Sequence, residues 1–168
     1  MLEAIKGRRS VRRFEDRDVP HELIEKLLEA GNLAPSAGNL QARYFIVVKN
    51  KEMREKLSAA AFNQKFVYDA PVDVVVCADL MRIKPYGKRG EELYCIQDAS
   101  AAVQNILLAA YALGLGTCWV GAFNEREVAD VLSLPKHLRP VAIIPIGYGT
   151  SSRTTSRLPL GEISEVYE

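Results

Sequence analysis

Apolar residues fall into two kinds of pattern along this chain. Behind Pro20, Leu23, Ile24, Leu27 and Leu28 recur at i, i+1, i+4 and i+5, on one face of a helix that ends near Gly31 and Asn32. Tyr44, Phe45, Ile46, Val47 and Val48 instead form an unbroken run of strand-forming residues, the pattern of a strand buried on both faces. Residues 72–78 (VDVVVCA) repeat that pattern, and helical composition fills residues 51–61 between the two. The clearest helix covers residues 97–113, where Ala, Val, Ile and Leu take most positions and Asp98 suits the positive end of the dipole. A helix this apolar around its girth belongs at the centre of a fold. Gly114-Leu115-Gly116 closes it, residues 117–121 enter a third strand, and Asn124 is placed to cap a helix over residues 125–132. Residues 140–148 (PVAIIPIGY) complete a fourth strand, in which Pro145 asks for an edge position or a bulge because it cannot donate to a ladder. A short helix over residues 2–9, weakened at Gly7, precedes these elements. The polar stretch 79–92 reads as a surface excursion, and the Thr-, Ser- and Arg-rich last 20 residues read as a segment extending across a neighbour. Helices and strands intermix without the alternation of a doubly wound sheet, so the expected class is α+β, a central sheet with a buried long helix.

Length and charge narrow the function classes. At 168 residues, 48% apolar and 26% charged, the chain is long enough to bury its own core, and one domain over residues 1–168 is the economical reading. With 22 basic against 21 acidic side chains, no global field draws it to nucleic acid or an anionic bilayer. The basic excess is local: Lys6, Arg8, Arg9, Arg12 and Arg13 face Glu3 alone within the first 14 residues. That concentration suits a small anionic ligand better than a polyanion. Cys77, Cys95 and Cys118 are odd in number and lack C-x-x-C spacing, so they read as reduced, mostly buried thiols of a cytoplasmic protein. The charged first 20 residues contain no signal-peptide core, and no stretch approaches the length of a membrane span; neither secretion nor membrane insertion is expected.

Arg8-Arg9-Ser10-Val11-Arg12-Arg13 places four guanidiniums and a hydroxyl within six residues. Guanidinium forks match a phosphate face, and a converging set neutralises a dianion; a solvated basic face and a nucleic-acid patch are the competing readings. The G-x-G at 114–116 follows a helix and precedes a strand, the reverse of a dinucleotide fingerprint, and reads as a helix cap. No phosphate-binding P-loop or nucleophile elbow is present. With only His21 and His137, a catalytic triad or histidine metal site is not expected, so redox or group-transfer chemistry has to come from something bound. Pro35-Ser36-Ala37-Gly38-Asn39-Leu40-Gln41 is either a structural turn or a loop whose small residues let backbone amides approach a flat ligand.

Four pieces in register carry a family resemblance: the Arg-Arg-Ser-x-Arg opening, the PSAGNLQ loop, the block over residues 97–123 ending LGLGTCWVGAF, and Ser156-Arg157-Leu158-Pro159. Together they resemble the nitroreductase family of FMN-dependent oxidoreductases over nearly the whole chain. The resemblance implies a mostly antiparallel central sheet flanked by helices. It also implies a homodimer with FMN at the interface, reduced by NAD(P)H and reoxidised by nitroaromatics, quinones or related acceptors in a ping-pong cycle. Carried over by position, Arg8 and Arg157 hold the FMN phosphate, with Arg9 and Ser10 completing the cradle. Arg12, Asn63 and Lys65 approach the pyrimidine edge of the ring. Gly121 and Ala122 supply backbone amides, Gly121 standing where some relatives have a carboxylate. Pro35, Ser36, Ala37 and Asn39 come from the partner subunit. Arg13 has no family role and is expected in solvent. Phe62, Tyr86, Trp119 and Phe123 are candidates to line the acceptor face, core packing being the ordinary use of each. The segment 79–94 is short, which implies an open site. Dehalogenation, azoline oxidation and flavin fragmentation on the same fold, or a non-catalytic phosphate- or nucleotide-binding module, are the alternatives.

Overall fold

The computed structural model describes residues 2–151 and 155–167. The chain runs α1 (Leu2–Gly7), α2 (His21–Asn32), β1 (Arg43–Val48), α3 (Lys51–Ala60), α4 (Lys65–Asp69) and β2 (Val72–Asp79). It continues through α5 (Gly87–Arg89), α6 (Cys95–Ala112), β3 (Gly116–Thr117), α7 (Glu125–Val131) and β4 (Leu138–Gly147). The four strands form one antiparallel sheet in the order β1-β2-β4-β3.

Every residue of β2 is buried because both faces of the sheet are covered. Val72, Val74 and Val76 point to one face and pack with Ile144 and Ile146 of β4, Val103, Ile106 and Ala110 of α6, and Ile24 and Leu27 of α2. Val75 and Cys77 point to the other, against Leu57 of α3, Val67 of α4 and Val128 of α7. A fully buried Leu or Ile contributes roughly 1.5–3 kcal/mol. This α+β architecture, with its long central helix, is the expected one. The caps fit as well: the Asn124 side chain accepts from the backbone N–H of Arg126 and Glu127, and Asn50 caps α3 through Met53 N–H.

Four local expectations change. The run in β1 is not buried on both faces, since β1 is an edge strand and Tyr44 and Val47 are exposed. The first helix stops at Gly7 rather than Arg9, at a point where a Cβ would collide with the Tyr111 ring. The third strand contracts to two residues, after which the chain leaves the ladder and rejoins it through a single bridge, Val120 to Ile143. Pro145 lies neither on an edge strand nor at the bulge, which falls where β2 shifts register between Val76 and Cys77. In an antiparallel strand a residue's N and O face the same neighbour. The Pro145 carbonyl accepts from Cys118 N at 3.4 Å, so its ring nitrogen faces the stretch where β3 has already ended and no donor is needed.

Candidate functional site

Beyond α1 the arginine segment is extended and lies along β3. Val11 N–H donates to Thr117 O at 2.8 Å and Ser10 forms a parallel bridge with Thr117. Gly149 makes room for it, since a Cβ there would run into the Arg13 carbonyl. Two adjoining clefts result, sharing Gly149, Thr150 and Ser151 as a common wall. One, of about 270 Å³, includes Arg8 and Arg9; the other, of about 620 Å³, includes Ser10, Arg12, Arg13 and a single carboxylate, Glu15. Arg8 is half-buried, while Arg12 and Arg13 are exposed. Arg9 turns back on α1, its Nη1 donating to Lys6 O at 2.6 Å and Arg8 O at 2.8 Å, which satisfies carbonyls at the helix end.

Beneath the segment lies Cys118, a residue given no role from the sequence. Burial raises its thiol pKa, opposed by the Arg12 guanidinium, the Ser10 hydroxyl and Arg8.

A second group is joined to the first through Arg12, whose guanidinium lies 5.6 Å from the Phe66 ring centroid, next to Lys65. Gln64 Nε2 donates to Ala122 O and to Ala61 O, each at 2.9 Å, and ties the turn carrying Asn63 to the strand end at Gly121 and Ala122. Phe62 and Asn63 both hold positive φ, 57° and 58°, so this turn is a strained feature held by its surroundings. Arg12, Asn63, Lys65, Gly121 and Ala122 are all exposed, and the Lys65 ammonium is engaged by Asp69 at 3.1 Å. Phe123 packs against the core, whereas Phe62, Tyr86 and Trp119 are exposed, so core packing accounts for one of these four aromatics.

The loop of Pro35, Ser36, Ala37 and Asn39 stands apart: among the described residues no hydrogen bond or ion pair joins it to the arginine segment. Two buried charges hold it. Ala37 N–H donates to Asp98 Oδ1 at 2.9 Å, and Arg43 Nη2 donates to Asn32 O at 2.5 Å and Ala34 O at 3.0 Å. Gln41 N–H donates to Ser36 Oγ at 3.0 Å, and Gly38, Asn39 and Gln41 all take positive φ. Burial lowers the Arg43 pKa, with the Asp98 charge opposing. Asp98 Oδ2 and Arg43 Nε are buried without partners, so these charges cost free energy that only a required loop shape offsets. Neither was singled out for this task from the sequence; a lone carboxylate in an otherwise apolar helix was the available signal.

Arg157 is exposed, its Nη1 donates to Thr155 Oγ1 at 2.8 Å and Ser156 O at 3.0 Å, and it is not among the residues that line either cleft. Among the described residues no helix is long and apolar enough to cross a membrane, and no group of three His, Cys, Asp or Glu side chains is placed to hold a metal.

The chain as a whole is similar to known proteins. The sequence profile described as "Nitroreductase family" matches residues 5–64 and 58–148. A protein of Methanothermobacter thermautotrophicus with the provisional name NADH dehydrogenase/NAD(P)H nitroreductase is 42% identical over 94% of this chain and 82% of its own length. An FMN reductase [NAD(P)H] of Bacillus subtilis is 32% identical over 95% of this chain and 70% of its own. The solved structure of an FMN-dependent nitroreductase of Clostridium difficile superposes with a TM-score of 0.80 at 31% identity, covering 94% of this chain and 92% of that one. The chain belongs to the nitroreductase family. With that family it is an oxidoreductase enzyme.

Proposed function

We propose that residues 1–168 act as one domain and that two copies form a homodimer holding FMN at their interface. Electrons pass from NAD(P)H to nitroaromatics, quinones or related acceptors by a ping-pong cycle. The observation that supports this reading is the division of the site: one face of the chain gathers guanidiniums around two clefts, while a separate, strained loop is pinned by buried charge. Two such chains, each lending its loop to the other's clefts, complete one another. The apolar tail supports the pairing, since Leu158, Leu160, Ile163, Val166 and Tyr167 are all more than 60% exposed and belong against a second copy.

The residues present suit FMN. Arg8, half-buried beside a cleft lined in part by Gly7, Gly114, Gly116 and Gly149, binds the phosphate dianion, joined by Arg157 from the tail, with Arg9 and Ser10 at the rim. Arg12, beside the Phe66 ring, together with Asn63 and Lys65 from the turn and helix that carry Phe66, would hold the pyrimidine edge and stabilise negative charge gained on reduction. Gly121 and Ala122 offer backbone N–H groups, and the partner's loop residues Pro35, Ser36, Ala37 and Asn39 cover the ring and exclude water from one face. FMN supplies the two-electron exchange between nicotinamide and acceptor. No general base is required of the chain; its residues bind and position, and the donor and acceptor take turns over one open face. Three buried, unpaired cysteines suit a reducing cytoplasm.

Anaerobic stopped-flow spectroscopy of the FMN-loaded protein tests this directly. Bleaching by NADH or NADPH, followed by recolouring on mixing with a quinone or nitroaromatic in the absence of free nicotinamide, is the expected sequence. A flavin band that neither donor bleaches would refute it.

A further inference from the structure

Beside the pinned loop the short segment after β2 builds an aromatic and cationic surface. A Cβ on Gly38 would sit 2.5 Å from Tyr86 Oη, so the Tyr86 ring lies directly on the loop. Tyr86 meets Tyr94 edge to face, with centroids 5.4 Å apart. Arg89 then closes the chain of contacts: its guanidinium stands 5.4 Å from the Tyr94 centroid and its Nε donates to Tyr94 Oη at 2.9 Å. The other cations of the segment are differently engaged, Arg82 by Asp79 and Lys88 by Glu92. Among the described residues Arg89 and Lys84 have no carboxylate partner, and within the segment the Glu91 carboxylate has no cation partner. Tyr86 is 43% exposed, and Arg89 and Lys84 are exposed.

We infer that Tyr86, Tyr94 and Arg89 form an acceptor-selecting wall, which favours planar electron acceptors bearing a carboxylate or sulfonate over neutral ones of the same shape. This rests on the reading that the loop at residues 35–39 covers the partner's flavin, because Tyr86, which touches the loop, and Tyr94, which packs on Tyr86, are then carried to the edge of that ring. An exposed tyrosine face stacks on a planar acceptor. A guanidinium held over a second tyrosine is oriented in advance and keeps its remaining N–H donors for an anion. With a site open on this side, the charge of Arg89 is screened by water, so its effect is a modest preference and not an absolute requirement. The reaction balances as before: NAD(P)H and one proton reduce a quinone to its hydroquinone, or the nitro group to the nitroso compound and water.

The test compares para-nitrobenzoate with methyl para-nitrobenzoate, which differ in charge and little in shape, as the ratio of their kcat/KM values for the FMN-loaded dimer. In the parent protein the ratio should fall as salt rises from low to physiological. Arg89→Gln should lower it roughly fivefold, Tyr94→Phe, which removes the hydroxyl that orients Arg89, should lower it in the same direction by less, and Arg89→Lys should restore part of it. Lys136→Gln, an equal loss of charge at an exposed site outside this wall, should leave the ratio at the parent value. A ratio indifferent to Arg89→Gln and to salt overturns the inference, as does an equal fall in Lys136→Gln. Retained flavin colour and turnover of the ester in the same samples show that the flavin reading stands while the wall is judged; a protein that binds no FMN overturns both.

Discussion

The carboxylate of Asp98 reaches from the first turn of the central helix to accept a hydrogen bond from the Ala37 backbone N–H at 2.9 Å, across 61 residues of sequence. That bond, with the Arg43 guanidinium on the carbonyls of Asn32 and Ala34, fixes the loop that the proposed dimer lends to its partner. Asp98→Ala removes the acceptor and leaves the Ala37 N–H without its charged partner. The expected loss is roughly 1.5–3 kcal/mol of folding stability in urea titrations, together with a raised FMN Kd. Asp98→Asn keeps an acceptor oxygen and should lose less on both counts. Wild-type FMN affinity in Asp98→Ala would show that the loop does not contact the flavin.

Arg8 offers a sharper test of where the phosphate sits. A charge-assisted bond is worth about 1.5–3 kcal/mol, so Arg8→Ala should weaken FMN binding roughly 10- to 100-fold in fluorescence titrations. Riboflavin, which lacks the phosphate, should bind parent and variant alike. If both flavins weaken equally, the arginine is not a phosphate ligand.

Arg12, beside the Phe66 ring, stabilises the reduced state if it faces the pyrimidine edge. Arg12→Gln should lower the FMN midpoint potential, and a fall of about 30 mV would correspond to about 1.4 kcal/mol for the two-electron couple. Spectroelectrochemistry reads this independently of turnover. An unchanged potential assigns Arg12 to solvent or to Cys118 alone.

Asp73 makes a prediction about pH that is separate from the site. It lies on the buried face of β2 with both carboxylate oxygens unpartnered, and burial raises its pKa well above the ordinary 3.8, the Arg54 charge opposing only in part. The folded state therefore keeps a proton that the unfolded chain releases above pH 3.8. Stability from this group is full below that value and declines as pH rises toward the raised folded pKa, by about 1.4 kcal/mol per pH unit within the window. Asp73→Asn abolishes the slope, so its urea midpoint should gain on the parent as pH climbs from 4 toward neutrality. Parallel profiles would mean that Asp73 is ionised in the fold.

Periodicity made the helices and strands legible because each buries a face that its residue spacing declares: the stripe of Leu23, Ile24, Leu27 and Leu28, and the unbroken run at β2. What it missed depended on neighbours. The apolar run of β1 looks like that of β2, and only strand order shows that Tyr44 and Val47 lie on an edge. Pro145 could sit inside the sheet only because β3 ends opposite it, a fact of another segment's length. For the site, the arginine cluster was visible as composition. Its docking along β3 at Thr117 and the pinning of the loop by Asp98 and Arg43 are contacts between distant segments, which no local pattern encodes.

The central claim is a flavin held jointly by two chains, and sedimentation velocity recorded at both protein and flavin absorbance tests it most directly. The account predicts one species of twice the 18.7 kDa chain, carrying two FMN, with flavin and protein boundaries moving together and flavin released when dilution or Asp98→Ala separates the subunits. A stable species of one chain, whether colourless or still holding FMN, would contradict it.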